Sequence, residues 1–199
     1  VAYAMYSGQV EEDTQEPDVS EGDLGFPCQN GDDCNSGYCV QTADGTLCSK
    51  TCETDCPTGW SCKQVLTGGD AVYICLPDFP TLCMPCKSNG ECQLPGSGSE
   101  ARCLTYGDEG AFCGGDCSFT PCPTGYSCED GTDVLGQPTK QCIKDDGMCE
   151  CSPLAITKSA ATVCGVTNEY GSCVAERVCL DSGLSPCAGS IPGPEICDG

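Results

Sequence analysis

Histidine is absent from this chain of 199 residues. That absence removes Ser-His-Asp and Cys-His catalysis, and with them every zinc site that needs an imidazole. Basic residues are scarce too: 8 Lys and Arg stand against 30 Asp and Glu, a formal net charge of −22. Phosphate backbones and anionic membrane surfaces repel such a chain, so no nucleic-acid partner is expected. The third shortage is apolar bulk. Leu, Ile, Val and Phe number 31 in all, and no run approaches the roughly 20 apolar residues that would span a membrane. A chain this poor in large apolar groups cannot offset the entropy of ordering by burial alone.

What it has instead is cysteine, 24 residues of it. Such a density persists as disulfides only in an oxidising compartment, which implies an extracellular or cell-surface protein. The even count allows every thiol to pair. Each bridge adds roughly 2–4 kcal/mol, chiefly by restricting the unfolded chain, so cross-links replace the missing core. The 26 Gly and 14 Pro favour turns over long helices. The expected fold class is therefore small, disulfide-rich and all-β, with tandem cysteine-rich modules, short antiparallel strands and little helix.

Residues 1–27 form a Cys-free N-terminal arm, apolar over 1–10 (VAYAMYSGQV) and an acidic linker over 11–27, where Glu11 to Asp23 carries seven acids and no base. Ala2-Tyr3-Ala4 has the small-x-small pattern of a cleavage site, so the chain reads as already processed. From residue 28 onward the chain is organised by an internal repeat. The first copy, residues 28–82, carries Cys28, Cys34, Cys39, Cys48, Cys52, Cys56, Cys62 and Cys75. The second, residues 83–148, carries Cys86, Cys92, Cys103, Cys113, Cys117, Cys122, Cys128 and Cys142. Both open with Pro-Cys, and both contain nearly the same heptad, CPTGWSC at 56–62 and CPTGYSC at 122–128. Cys83 and Cys149 fall outside the eight-cysteine pattern and are expected to bond to the third unit. That unit, residues 149–199, holds Cys151, Cys164, Cys173, Cys179, Cys187 and Cys197 at a different spacing, with short alternating runs that suggest two or three strands. Spacing does not give the pairing, since eight cysteines alone allow 105 connectivities. The units are expected to form an elongated array in which each touches mainly its neighbour.

The stretches CQNGDDCNSGYC with CPTGWSC, and CKSNGEC with CPTGYSC, resemble the cysteine-rich repeats of large secreted proteins of myxobacteria and related bacteria. A weaker similarity links them to animal modules of the Dickkopf or EB type. In the third unit CECSPLA, CGVTNEYGSCVAERVC and PGPEICDG resemble the segment that precedes the Asp-rich metal-binding repeats of the same bacterial proteins. The resemblance implies a secreted or surface role and no particular activity.

No residue set points to catalysis, and a non-enzyme is expected. The composition admits calcium, which takes six to eight oxygen ligands. Asp130 and Asp133 (EDGTD) are the local candidates among the turn acids, which also include Asp32 and Asp33. Trp60 and Tyr126 occupy the same place in the two heptads, and the expectation is that each covers the small disulfide core of its own module. Val1, Tyr3 and Met5 alternate as a strand with one buried face would, and are expected to dock on a neighbouring subunit. The leading functional expectation is thus a structural subunit of an extracellular surface assembly, a filament or fibre built by self-association into a homopolymer or by contact with other surface proteins. The competing one is a monomeric adhesive or ligand-binding module, calcium-dependent or not; a secreted inhibitor is a third.

Overall fold

A computed structural model describes residues 19–94, 100–147 and 149–194. Its strands all pair antiparallel and lie in small sheets, in keeping with the expected class. The first repeat contains two hairpins, β1 (Cys39–Thr42) with β2 (Gly45–Cys48), and β3 (Trp60–Thr67) with β4 (Asp70–Pro77). The second repeats the plan with β5 (Cys103–Thr105) and β6 (Ala111–Cys113), then β7 (Tyr126–Thr132) and β8 (Pro138–Lys144). Turn chemistry sets the strand ends. Gly68 and Gly69 both take positive φ, as a two-residue turn matched to the strand twist requires.

Among the described residues eleven disulfides join 22 of the cysteines, and the connectivity is itself repeated. In each repeat the first cysteine bonds the third and the second bonds the fourth: Cys28–Cys39 and Cys34–Cys48, then Cys86–Cys103 and Cys92–Cys113. The last four cysteines obey the same crossed rule, as Cys52–Cys62 with Cys56–Cys75 and Cys117–Cys128 with Cys122–Cys142. The third and fourth cysteines of every quartet are also direct cross-strand partners: Cys39 faces Cys48, Cys62 faces Cys75, Cys103 faces Cys113 and Cys128 faces Cys142. Each eight-cysteine repeat is therefore two copies of one hairpin clamped by two crossed bridges. Three sulfurs of each quartet lie within 4.8 Å of one another, a grouping that reduced cysteines use for metals. All of these thiols are spent on bridges.

The third unit is built on β9 (Ala161–Asn168) and β10 (Gly171–Leu180), with β11 (Gly183–Leu184) and β12 (Ala188–Gly189) on β10, after a short helix α1 (Pro153–Thr157). Ser152 caps that helix by accepting from the Ala155 N–H, and Pro sits at its first position. Cys151–Cys179 and Cys164–Cys187 close the unit. Cys173 has no bridge among the described residues, and Cys197 lies outside them.

One expectation needs correction. Cys83 and Cys149 bond each other and neither reaches the cysteines from Cys151 onward, so their bridge encloses the second repeat, from its first residue to the residue just past its last. Beside the contacts between neighbouring units, one hydrogen bond joins the first and third. The third unit reaches back to the first, where the Leu154 N–H at the start of α1 donates to the Ala43 carbonyl in the β1–β2 turn at 3.0 Å. Between the second and third units the core is continuous, with Met84, Cys86, Cys103 and Ala111 packed with Leu154, Ala155 and Cys179. Across that seam the Ala111 N–H donates to the buried Thr162 hydroxyl at 2.6 Å. Lys87 pairs with Glu176 at 2.9 Å and Arg177 with Glu109.

Candidate functional site: the cleft between the three units

The duplicated heptad forms the same local device twice. In each copy Pro-Thr-Gly makes a tight turn that closes with an N–H donated by the aromatic residue, Trp60 to the Pro57 carbonyl at 3.0 Å and Tyr126 to the Pro123 carbonyl at 3.1 Å. Gly59 and Gly125 hold nearly identical positive φ, 83° and 84°, a conformation that costs a residue with a Cβ. Each aromatic thus opens a strand at its first residue. The next residue, a serine, donates to an aspartate beyond the partner strand's far end, Ser61 to Asp78 and Ser127 to Asp145. Those aspartates also donate their N–H groups to the turn glycines, Asp78 to Gly59 and Asp145 to Gly125. Sequence reasoning noted Asp145 only as a turn acid and missed this role for both, although each stands three residues after the last cysteine of its repeat.

Because the two devices sit on different repeats, nothing local makes their aromatics meet. The packing of the units does. Trp60 and Tyr126 line one cleft of about 470 Å³, and both are half-buried. The walls come from all parts of the fold: the β1–β2 turn with Asp44, the connector with Leu82 and Cys83, and the stretch Glu150 to Pro153 of the third unit. The Leu154–Ala43 hydrogen bond and the Cys83–Cys149 bridge hold those walls together. Burial pushes the Tyr126 hydroxyl above its ordinary pKa, helped by the negative charges of Asp146 and Glu150. A second cleft of about 420 Å³, between β1 and the β3–β4 hairpin, is lined by groups such as Tyr38, Val65 and Ile74 and has no charged residue on its walls.

The two calcium candidates part company in the fold. Asp130 is exposed on β7 opposite Lys140. Asp133 is buried just past the end of that strand, where one carboxylate oxygen accepts from the Leu135 and Gln137 N–H groups at 2.9 and 2.8 Å and the other from the Asn89 amide at 2.8 Å. Asn89 accepts in turn from the Cys103 N–H, so Asp133 fastens the β7–β8 turn to the first half of its repeat. Asp33 does similar work by accepting from Gln29 and Asn30 N–H at the 3₁₀ turn before Cys34. Neither Asp130 nor Asp133 belongs to a cluster of three ligating groups among the described residues. The docking residues Val1, Tyr3 and Met5 lie outside the described residues.

The backbone N–H of Gln137, then the Asn89 amide, hold the Asp133 carboxyl below the ordinary aspartate value of 3.8. A carboxyl with a depressed folded pKa stabilises the fold above its unfolded value and loses that contribution as pH falls through the folded one. Amide-exchange protection at Leu135 and Gln137 is therefore expected to hold from neutral pH down to about pH 4 and to decline below it. Asp133→Asn should lower that protection at neutral pH as well, since an amide NH₂ then faces the Asn89 amide. Protection unaffected by either change would remove Asp133 from this role.

Crossed-bridge hairpins, a cystine-rich interior and a cleft shared between units define a small disulfide-rich all-β protein of an oxidising compartment. Comparison with protein-family models, with curated proteins and with solved structures found no match. Among the described residues no helix is long and apolar enough to cross a membrane.

Proposed function

We propose that this protein is an extracellular binding module whose ligand site is the cleft shared by its three units. One observation carries the reading: the two copies of a duplicated heptad deliver their variable aromatic, Trp60 and Tyr126, to the same cavity. Covering two separate disulfide cores would not require that convergence. The size of the cleft suits a small molecule or a protruding side chain, and its position between units is where ligand pockets commonly form. Aromatic faces offer large contact area at little loss of side-chain freedom, and their polar tips give direction. The filament reading rests on the N-terminal arm and gains nothing from this geometry.

Trp60 is the single tryptophan of the chain, so its indole N–H resonance reports on the cleft without interference. Titration with neutral saccharides, organic cations, small carboxylates and aliphatic alcohols should shift that resonance saturably for at least one class, and Tyr126→Ala should weaken the response. An indole signal unmoved by every class up to roughly 20 mM, well above the ~1 mM dissociation constant of a weak site, would overturn the proposal.

A further inference from the structure

Resting on the binding role of the cleft, the geometry points to its ligand class: we propose that the cleft takes an organic cation of the quaternary or alkylated ammonium type, seated between the Trp60 and Tyr126 rings and the carboxylates of Asp44 and Glu150. Four observations lead there. First, the two rings line the cavity without stacking on each other; the one ring pair in contact among the described residues is Tyr106 with Phe112. A cation held over an aromatic ring is attracted by its quadrupole, and rings that do not stack on each other leave that position open. Second, Asp44 and Glu150 both line the cleft from different units, in the β1–β2 turn and at the start of the third unit. Neither carboxylate has an ion-pair partner among the described residues. Third, the one cationic side chain on the walls, Lys144, is engaged by Asp146 at 3.8 Å, so it does not cancel those charges. Fourth, the chain as a whole carries −22, which concentrates cations around it and repels anions.

A polar cation such as ammonium would keep its water and gain little from the rings. An alkylated one is weakly hydrated and presents positive charge on methyl groups that pack against aromatic faces. The second cleft lacks both the aromatic pair and the acids, which makes it a natural internal comparison.

The test uses the intact, oxidised protein and Trp60 emission. Choline is the probe; 3,3-dimethylbutan-1-ol, of the same shape without the charge, is the control, with maltose as the neutral saccharide. Choline is expected to change the emission saturably, the neutral isostere to bind at least about tenfold more weakly, and maltose to give no saturable change. Tyr126→Leu should weaken choline about 2- to 30-fold, and Asp44→Asn with Glu150→Gln should weaken choline while leaving the alcohol unchanged. Raising ionic strength from about 0.01 to about 1 M, which shortens the Debye length from roughly 30 to 3 Å, should weaken choline severalfold further. A peptide bearing trimethyllysine separates the sources: tighter binding than choline assigns the cation to a protein partner, and equal binding assigns a free one. Equal affinity for choline and the alcohol, or a response to maltose alone, overturns the cation assignment and leaves the cleft a binding site. Silence from every probe overturns the cation assignment, and silence from small carboxylates as well overturns the binding role.

Discussion

Full reduction of the bridges, without denaturant, is expected to unfold the protein completely. The reason lies in what fills its interior. More than half of the buried apolar residues are bridged half-cystines, and the large groups with them are few, such as Leu104 and Phe112 in the second repeat and Leu154 in the third unit. Each bridge contributes roughly 2–4 kcal/mol, whereas a whole domain is stable by only about 5–15 kcal/mol. Losing the eleven among the described residues leaves nothing that the remaining contacts can hold. The −22 net charge adds self-repulsion once the chain is free to expand. Amide dispersion in a proton NMR spectrum should collapse on reduction and return on controlled reoxidation. Dispersion that survives full reduction would mean that the core is larger than its cystines.

The second large effect is expected at Gly110, where the second and third units meet. Its φ is +115°, and a Cβ placed there would lie 2.5 Å from Thr162 Cγ2 and 2.7 Å from its hydroxyl oxygen. Thr162 is fully buried and accepts the Ala111 N–H, so it cannot swing aside without leaving that donor unsatisfied. Gly110→Ala therefore combines backbone strain of about 1–3 kcal/mol with overpacking of similar size. Together they should lower Tm by roughly 5–15 °C in a chain this long. Gly136→Ala is the matched comparison: its φ is +77°, but its Cβ would meet nothing within 4 Å. If the two variants lose equal Tm, the seam between the units carries no special weight, and strain alone accounts for both.

Much of the fold was legible because cysteine spacing is a periodic signal that side-chain chemistry cannot disguise. The paired positions from Cys28 to Cys75 and from Cys86 to Cys142 revealed the duplication, and the abundance of Gly and Pro pointed to turns rather than long helices. The smaller period, two crossed quartets in each repeat, was not legible. Spacing within a quartet varies with loop length, whereas the pairing rule depends on which cysteines face each other across a hairpin. The pairing of Cys83 with Cys149 was hidden for a related reason, since both look like leftovers until the second repeat folds and brings its ends together. The candidate site was half visible. The variable aromatic of the heptad drew notice in both copies, but its destination is decided by contacts far off in sequence, Leu154 on Ala43 and Thr162 on Ala111. At Asp133 the residue type suggested an ion. The donors that satisfy it come from Asn89, 44 positions away, and from its own turn, and no local pattern announces them.

The connectivity also dictates an order of events during oxidation. Among the described residues every bridge but one spans 10–28 residues, so each quartet can close as soon as its own short stretch of chain is available. The first repeat can be fully locked before any later cysteine exists, which removes its thiols from competition. Cys83–Cys149 is the exception: it spans 66 residues and encloses a repeat that needs four bridges of its own. While that repeat is still being made, Cys83 is the one thiol behind the growing end whose partner lies beyond the whole repeat. It waits as a reactive group through all of that interval. An oxidoreductase that holds Cys83 as a mixed disulfide would protect the entire pairing scheme, because a premature bond at that single position would misdirect the cysteines made after it.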